Sequence, residues 1–90
     1  MPYIPQEMRK HFDEELNALA AKMRMAVPVS ARAGCMNYVI TSLIHRVYGG
    51  GLSYSDHNEV VGVLGCAKDE WYRRRTAPYE DVKIEENGDV

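Results

Sequence analysis

The segment from about residue 31 to residue 48 constrains the fold most, because it is apolar over more than half the circumference of a helix. Four apolar residues recur every three or four positions and form one stripe of an α-helix: Met36, Ile40, Leu43 and Val47. Val39 lies beside this stripe, and further apolar side chains flank it. A helix that is apolar over such a width must be covered from two sides. We therefore expect the segment to pack between neighbouring helices or against another copy of the chain.

A first helix is expected on its N-terminal side, from about residue 5 to residue 25. Pro5 suits the first turn of a helix, where its missing N–H group would have had no partner. Apolar residues again recur at helical spacing: Met8, Phe12, Leu16, Leu19 and Met23. The opposite face is charged, so this helix should lie at the surface with one buried stripe. Pro28 should end it, because proline disfavours the α conformation of the residue before it.

A third helix is expected from about residue 56 to residue 75, after a break at three consecutive glycines. Asp56 and Glu59 have the three-residue spacing of a capping box, in which two side chains satisfy N–H groups at the start of a helix. Ser53 and Asp56 offer the same pattern one turn earlier. The sequence therefore leaves two possible starting points for this helix.

Two further features of the third helix concern its neighbours and its end. Gly62 and Gly65 each cost about 1 kcal/mol of helix stability relative to alanine. Their presence predicts that another helix approaches closely at this face. Three consecutive arginines then suit the negative end of the helix dipole, and Pro78 should prevent the helix from continuing.

These patterns predict an all-α protein with a single domain, residues 1–90, built as a small three-helix bundle with an extended acidic C-terminal segment. This tail, residues 76–90, carries five acids and one lysine from Tyr79 onward, a local charge of −4. Its Asn87-Gly88 pair is typical of a tight hairpin turn. The broad apolar face of the second helix and the glycine face of the third predict that the protein self-associates.

Composition and charge exclude several classes of protein. The content of 46 % apolar and 27 % charged residues is that of an ordinary globular domain. The net charge of −2 lacks the basic excess of a general nucleic-acid binder, so direct binding to nucleic acid is disfavoured. No apolar run approaches 18 residues, so no membrane span is expected. Cys35 and Cys66 are too few for a disulfide framework, which favours a reducing, cytoplasmic setting.

Two stretches of the chain, residues 37–44 and 70–90, resemble a family of small uncharacterised proteins found in phages and prokaryotes. The shared motifs are NYVIT, YRR, PYED and KI-x-ENGDV, in this order. They match at Asn37, Tyr38, Thr41, Tyr72, Arg73, Arg74, Pro78, Tyr79, Glu80, Asp81, Asn87 and Gly88. One position departs from the pattern, because Cys35 stands where the family has an acid. The resemblance implies a short helical unit and a phage or mobile-element origin, with the host cytoplasm as its location.

The best candidate for a ligand site is the run from Tyr72 to Arg75. Guanidinium groups bind phosphate through paired N–H donors, and a tyrosine ring can stack on a base. The predicted ligand-binding residues are Arg73, Arg74, Tyr72, Tyr79, Asn37 and Thr41. The last two lie one turn apart on the second helix and would form hydrogen bonds with polar edges of the ligand. In the competing interpretation the arginines neutralise carboxylates of the acidic tail and balance the helix dipole.

These residues support three functional hypotheses. The first is a non-catalytic phage-type accessory protein that sequesters an anionic small ligand, such as a nucleotide signal, between subunits in counter-defence. The second is an inhibitor that binds a host defence or nucleic-acid machine. The third is an all-α nucleotide pyrophosphohydrolase, which needs paired carboxylates on two helices to hold magnesium. Asp56 and Glu59 form one such pair, but Glu7 lacks an acidic partner one turn later, so no catalytic residue, metal or cofactor is assigned.

Overall fold

A computed structural model of the chain describes residues 3–90, and each regular element in this range is a helix. The chain divides into two compact units, Tyr3–Leu52 and Ser53–Val90. Among the described residues, no helix is both long enough and apolar enough to cross a membrane. The prediction of an all-α protein is therefore confirmed.

The first unit begins with two helices where the sequence predicted one. Helix α1 spans Gln6–Arg9 and helix α2 spans Asp13–Ala26. Between them the chain forms a tighter turn, in which the N–H of Phe12 donates to the carbonyl oxygen of Arg9 at 3.0 Å. Three acids then occupy the first turn of α2, where the positive end of the helix dipole stabilises them. A continuous helix over residues 5–25 is thus wrong, because the acid-rich segment starts a new helix.

Helix α3, Arg32–Tyr48, completes the first unit after a short 3-10 turn at Val29–Ala31. Its bounds agree closely with the predicted segment. Gly49 ends the helix with a φ of 73°, a left-handed conformation that glycine adopts without steric cost, and its N–H donates to the carbonyl oxygen of His45 at 2.9 Å. The three glycines therefore end the second predicted helix as expected.

The second unit begins with helix α4, Tyr54–Trp71, whose start is a capping box made by Ser53 and Asp56. The backbone N–H of Ser53 donates to Oδ2 of Asp56 at 3.0 Å, and the N–H of Asp56 donates to Oγ of Ser53 at 3.2 Å. The backbone donor at Ser53 lowers the pKa of the Asp56 carboxyl. Of the two predicted starting points, the earlier one is correct and the pair with Glu59 is not the cap.

The predicted extended tail is wrong, because helical structure continues past the arginines. Tyr72–Thr76 form a π-helical segment and helix α5 follows at Ala77–Asn87. The N–H of Ala77 donates to the carbonyl oxygen of Tyr72, five residues back. A π turn is wider than an α turn, so it relieves the clash that a proline ring normally makes with the carbonyl four residues before it.

Pro78 therefore stands in the first turn of α5, where a missing N–H group is tolerated. At the other end, Gly88 has a φ of 87° and its N–H donates to the carbonyl oxygen of Ile84 at 2.7 Å. The Asn-Gly pair that predicted a hairpin is thus a helix C-terminus, since both structures use a glycine in the left-handed region.

None of the residues from 3 to 90 is buried in the chain. The side chains that form the apolar stripes of α2 and α3 are half-exposed or exposed. Four helices of more than two turns are present, one more than predicted, because the tail is helical. The three-helix bundle with its own apolar core is therefore not confirmed.

Candidate functional site

The three arginines lie inside the π segment, which spreads their side chains around the helix. Successive residues of an α-helix point about 100° apart, and a π turn reduces this angle only modestly. Arg73, Arg74 and Arg75 consequently face different directions and meet different neighbours. Arg73 and Arg75 have different contacts, with Glu70 and Trp71 respectively, while Arg74 and Arg75 line the same groove.

Arg73 is held by a carboxylate of its own helix. Its Nη2 atom donates to Oε1 of Glu70 at 2.7 Å, from a side chain that remains 64 % exposed. Ion pairs at such exposed positions contribute about 0–1 kcal/mol. Most of the Arg73 side chain is open to solvent, whereas the Glu70 side chain is 22 % exposed.

Arg75 stacks on the ring of Trp71, with its guanidinium carbon 5.0 Å from the ring centroid. The two residues are four apart, which places them one above the other on the same helix face. Within residues 3–90, Arg75 forms no ion pair, so its charge is directed by the indole but not neutralised. Trp71 is 60 % exposed, which leaves ring surface accessible.

An open groove of about 390 Å³ lies along this face of the helix. Its lining consists of Ala67, Glu70, Trp71, Arg74 and Arg75. The groove thus brings two arginine side chains beside an aromatic ring, and its surface is mostly apolar. Anions with a planar part match this combination of groups.

Tyr72 is directed away from this groove toward helix α5. Its Oη atom donates to Oε1 of Glu80 at 2.6 Å, and this bond raises the pKa of the Tyr72 phenol. Two α-helical turns span about seven residues, and the π segment adds one more, so residues eight apart align. A tail carboxylate is therefore bonded to the tyrosine beside the arginines.

Tyr79 lies on α5 and does not line the groove beside Trp71. The Nζ atom of Lys83 lies 5.5 Å from the centroid of its ring, and the same lysine approaches Glu86 at 3.5 Å. A second groove nearby includes the carboxylates of Glu80 and Asp81 in its lining. Tyr72 also lines this second groove, so it lies beside carboxylates, whereas the Tyr79 ring contacts a lysine.

Asn37 and Thr41 lie one turn apart on α3, as the sequence predicted. Both are exposed, so neither side chain needs a hydrogen-bond partner within the chain. They belong to the first unit, whereas the four other predicted ligand residues belong to the second. The predicted site therefore draws on two units.

Sequence reasoning missed the role of Trp71, to which it assigned no contact with the arginines. Arg75 was counted with the other arginines, and Glu70 was given no role. The spacing of four residues from Trp71 to Arg75, and of three from Glu70 to Arg73, was the available signal. These spacings alone do not identify the contacting pairs, because several other pairs of residues in the chain are separated by three or four positions as well.

Residues that hold metals do not gather in the described part of the chain. No group of three or more His, Cys, Asp or Glu side chains between residues 3 and 90 has the arrangement of a metal site. Cys35 and Cys66 are both half-exposed free thiols.

Comparison with known proteins identifies a family. No curated protein and no solved structure matches the chain. A sequence profile described as a domain of unknown function, DUF6899, matches residues 1–90. The expectation that the chain resembles an uncharacterised family is confirmed at this level. Since the match extends over the whole chain, the protein belongs to the DUF6899 family.

Proposed function

We propose that the protein is a non-catalytic binder of an anionic small ligand that carries a planar ring, with nucleotides as the ligand class. The groove beside Trp71 carries this proposal, because it places an exposed indole next to two guanidinium groups. Arginine binds phosphate with paired, charge-assisted hydrogen bonds. Stacking of a base on an aromatic side chain contributes about 1–3 kcal/mol.

The geometry redistributes the roles predicted for individual residues. We assign phosphate binding to Arg74 and Arg75. Arg73 would also bind the phosphate after its ion pair with Glu70 breaks. Trp71 takes the stacking role expected of Tyr72 or Tyr79, since the Tyr72 hydroxyl is bonded to Glu80. A role for Asn37 and Thr41 in reading polar edges of the ligand stays part of the proposal.

Self-association is included, because the groove is too open to enclose a ligand. Binding sites usually cover about 70–90 % of a small ligand's surface. A second copy of the chain would supply the missing wall. We propose, in line with the resemblance to phage proteins, that this binder acts in a host cytoplasm, where sequestering a nucleotide signal would serve counter-defence.

The alternative of a protein-interaction inhibitor is favoured by the acidic face of α5. Glu80 and Asp81 line the second groove, and α5 holds them on a helix rather than on an extended tail. Such a face would suit a basic surface of a host machine. We assign no residues to the pyrophosphohydrolase-like alternative, because no three metal-binding side chains lie together within residues 3–90.

Calorimetry with a nucleotide panel tests the proposal. The panel contains nucleoside mono-, di- and triphosphates and cyclic dinucleotides, with free nucleoside and inorganic phosphate as separate arms. We expect at least one nucleotide to bind, and both separate arms to bind more weakly. Arg74→Glu should weaken binding at least tenfold, because a charged hydrogen bond contributes about 1.5–3 kcal/mol.

Arg32→Glu is the matched control. It makes the same charge change at an exposed position that lines neither groove, and an acid suits the first turn of α3. We expect its affinity to equal that of the unchanged chain. If no nucleotide binds, the anion-binder proposal is wrong and the interaction-inhibitor alternative is favoured.

A further inference from the structure

We propose that Glu70 makes the groove beside Trp71 selective for guanine among the nucleotide bases. This inference rests on the proposed function, because it concerns the same groove and names its ligand more closely. The observation behind it is that an acid lines a groove to which we assign an anion.

The presence of Glu70 in this lining needs a chemical reason. Glu70 lines the groove together with Arg74 and Arg75. A carboxylate repels a phosphate group as strongly as an arginine at the same distance attracts it. An ionised carboxylate is also an acceptor of hydrogen bonds only. Glu70 is therefore suited to a part of the ligand that carries N–H donors and lies away from the phosphate.

The order of the residues along the helix separates the two ends of the groove. Ala67 and Glu70 precede the two arginines by about one helical turn, which is a distance of roughly 5–6 Å along the axis. Trp71 follows Glu70 directly, and its ring is 60 % exposed. A base that stacks on this ring, with its phosphate at the arginines, thus directs an edge toward the carboxylate.

The contact that Glu70 already makes shows which donors it accepts. Its Oε1 atom accepts a hydrogen bond from Nη2 of Arg73 at 2.7 Å. The Glu70 side chain is 22 % exposed, against 64 % for Arg73, so the carboxylate is the more enclosed of the two partners. A guanidinium group presents N–H groups in a planar fork that matches the two oxygens of a carboxylate.

Guanine carries a donor fork of the same kind. Its ring N–H group and its exocyclic amino group are attached to one carbon atom, so both can donate to a single carboxylate. In the proposed function Arg73 moves to the phosphate, and the guanine edge then takes its place at Glu70.

The other bases do not offer this fork. Adenine and cytosine place a ring nitrogen that accepts hydrogen bonds beside their amino group, and this acceptor faces the carboxylate oxygens. Uracil and thymine have one ring N–H group between two carbonyl oxygens, which the carboxylate repels. Guanine is therefore the base that complements Glu70.

Calorimetry of the full chain with GTP, ITP and ATP tests this inference without any substitution. The base of ITP lacks the exocyclic amino group of guanine but keeps its ring N–H group. We expect GTP to bind at least tenfold more tightly than ATP, with ITP between them, because a hydrogen bond to a charged group contributes about tenfold or more. Cyclic di-GMP and cyclic di-AMP form a second matched pair and should differ in the same direction.

Glu70→Gln tests whether Glu70 is the source of the preference. The amide replaces one acceptor by a donor and removes a negative charge. We expect the ratio of GTP to ATP affinity to fall to about one, while ATP binds at least as tightly as before. A residue with only a structural role would change both affinities alike. Glu85→Gln is the matched control at an exposed position of α5 that lines neither groove, and it should keep the preference.

The outcomes separate this inference from the proposed function. Equal affinities of GTP and ATP for the unchanged chain would overturn the inference and leave the anion-binding groove in place. A preference for guanine that survives Glu70→Gln would overturn it as well. If none of these nucleotides binds, the proposed function itself is wrong and the assignment of Glu70 fails with it.

Discussion

At the scale of single residues, the second unit is organised by side chains that reach one or two helix turns along the same stretch. Arg75 covers Trp71, Arg73 reaches back to Glu70, and Tyr72 reaches forward to Glu80. The indole ring and the guanidinium groups are the groups that we assign to the anion.

The hydrogen bond from Tyr72 to Glu80 predicts a distinct alkaline titration. Because the phenol must be protonated to donate, the pKa of Tyr72 is raised above its ordinary value of 10.0. The folded pKa exceeds the unfolded one, so the stabilisation is complete below the unfolded pKa and is lost as pH rises through the folded pKa.

Tyrosinate absorbance measures this effect directly. The tyrosine titration should end with a step above the ordinary range of a phenol, which belongs to Tyr72. Tyr72→Phe should remove that last step, whereas Tyr54→Phe, which replaces another exposed tyrosine, should retain it. If the last step persists without Tyr72, the bond to Glu80 does not form in solution.

At the scale of helices and turns, the residues at the helix ends determined which bounds could be predicted from the sequence. The bounds of α3 follow from the residues around Pro28 and from the glycines at its end, so the sequence was sufficient there. The break between α1 and α2 was missed, because an acidic cluster is equally compatible with the exposed face of a longer helix.

The conformation of the tail was mispredicted because a proline can occur at two different positions relative to a helix. Pro78 can end one helix or stand in the first turn of the next, and the π segment permits the second. Sequence spacing does not reveal a π turn, since it depends on how the backbone accommodates the proline. The arginine cluster was located correctly, while its partners depended on the angles that this turn sets.

Pro78→Ala tests the link between the proline and the π segment. With an N–H restored at this position, residues 72–76 should return to regular α-helix. Tyr72 and Glu80 would then lose their alignment, because eight residues no longer correspond to two turns. We expect higher helix stability by circular dichroism, together with a Tyr72 pKa that returns toward its ordinary value.

Pro28→Ala provides the comparison, because it changes a proline between α2 and α3 and should not alter the Tyr72 titration. If Pro78→Ala keeps the raised Tyr72 pKa, the π segment does not arise from the proline. The hydrogen bond to Glu80 would then need another explanation.

At the scale of the whole molecule, a chain with a globular composition contains no buried residue among the 88 described ones, numbered 3 to 90. The apolar periodicity of the helices was read correctly from the sequence, but periodicity shows only that a stripe is to be covered. It does not distinguish a neighbour in the same chain from another copy.

Sedimentation velocity with nucleotide present tests the anion-binding assembly most directly, since protein and nucleotide can be followed at separate wavelengths. We predict that a nucleotide of the panel sediments with a species of two chains, and that Arg74→Glu sediments as the same species without it. Nucleotides that all remain unbound, beside a protein that sediments as single chains, would contradict the account.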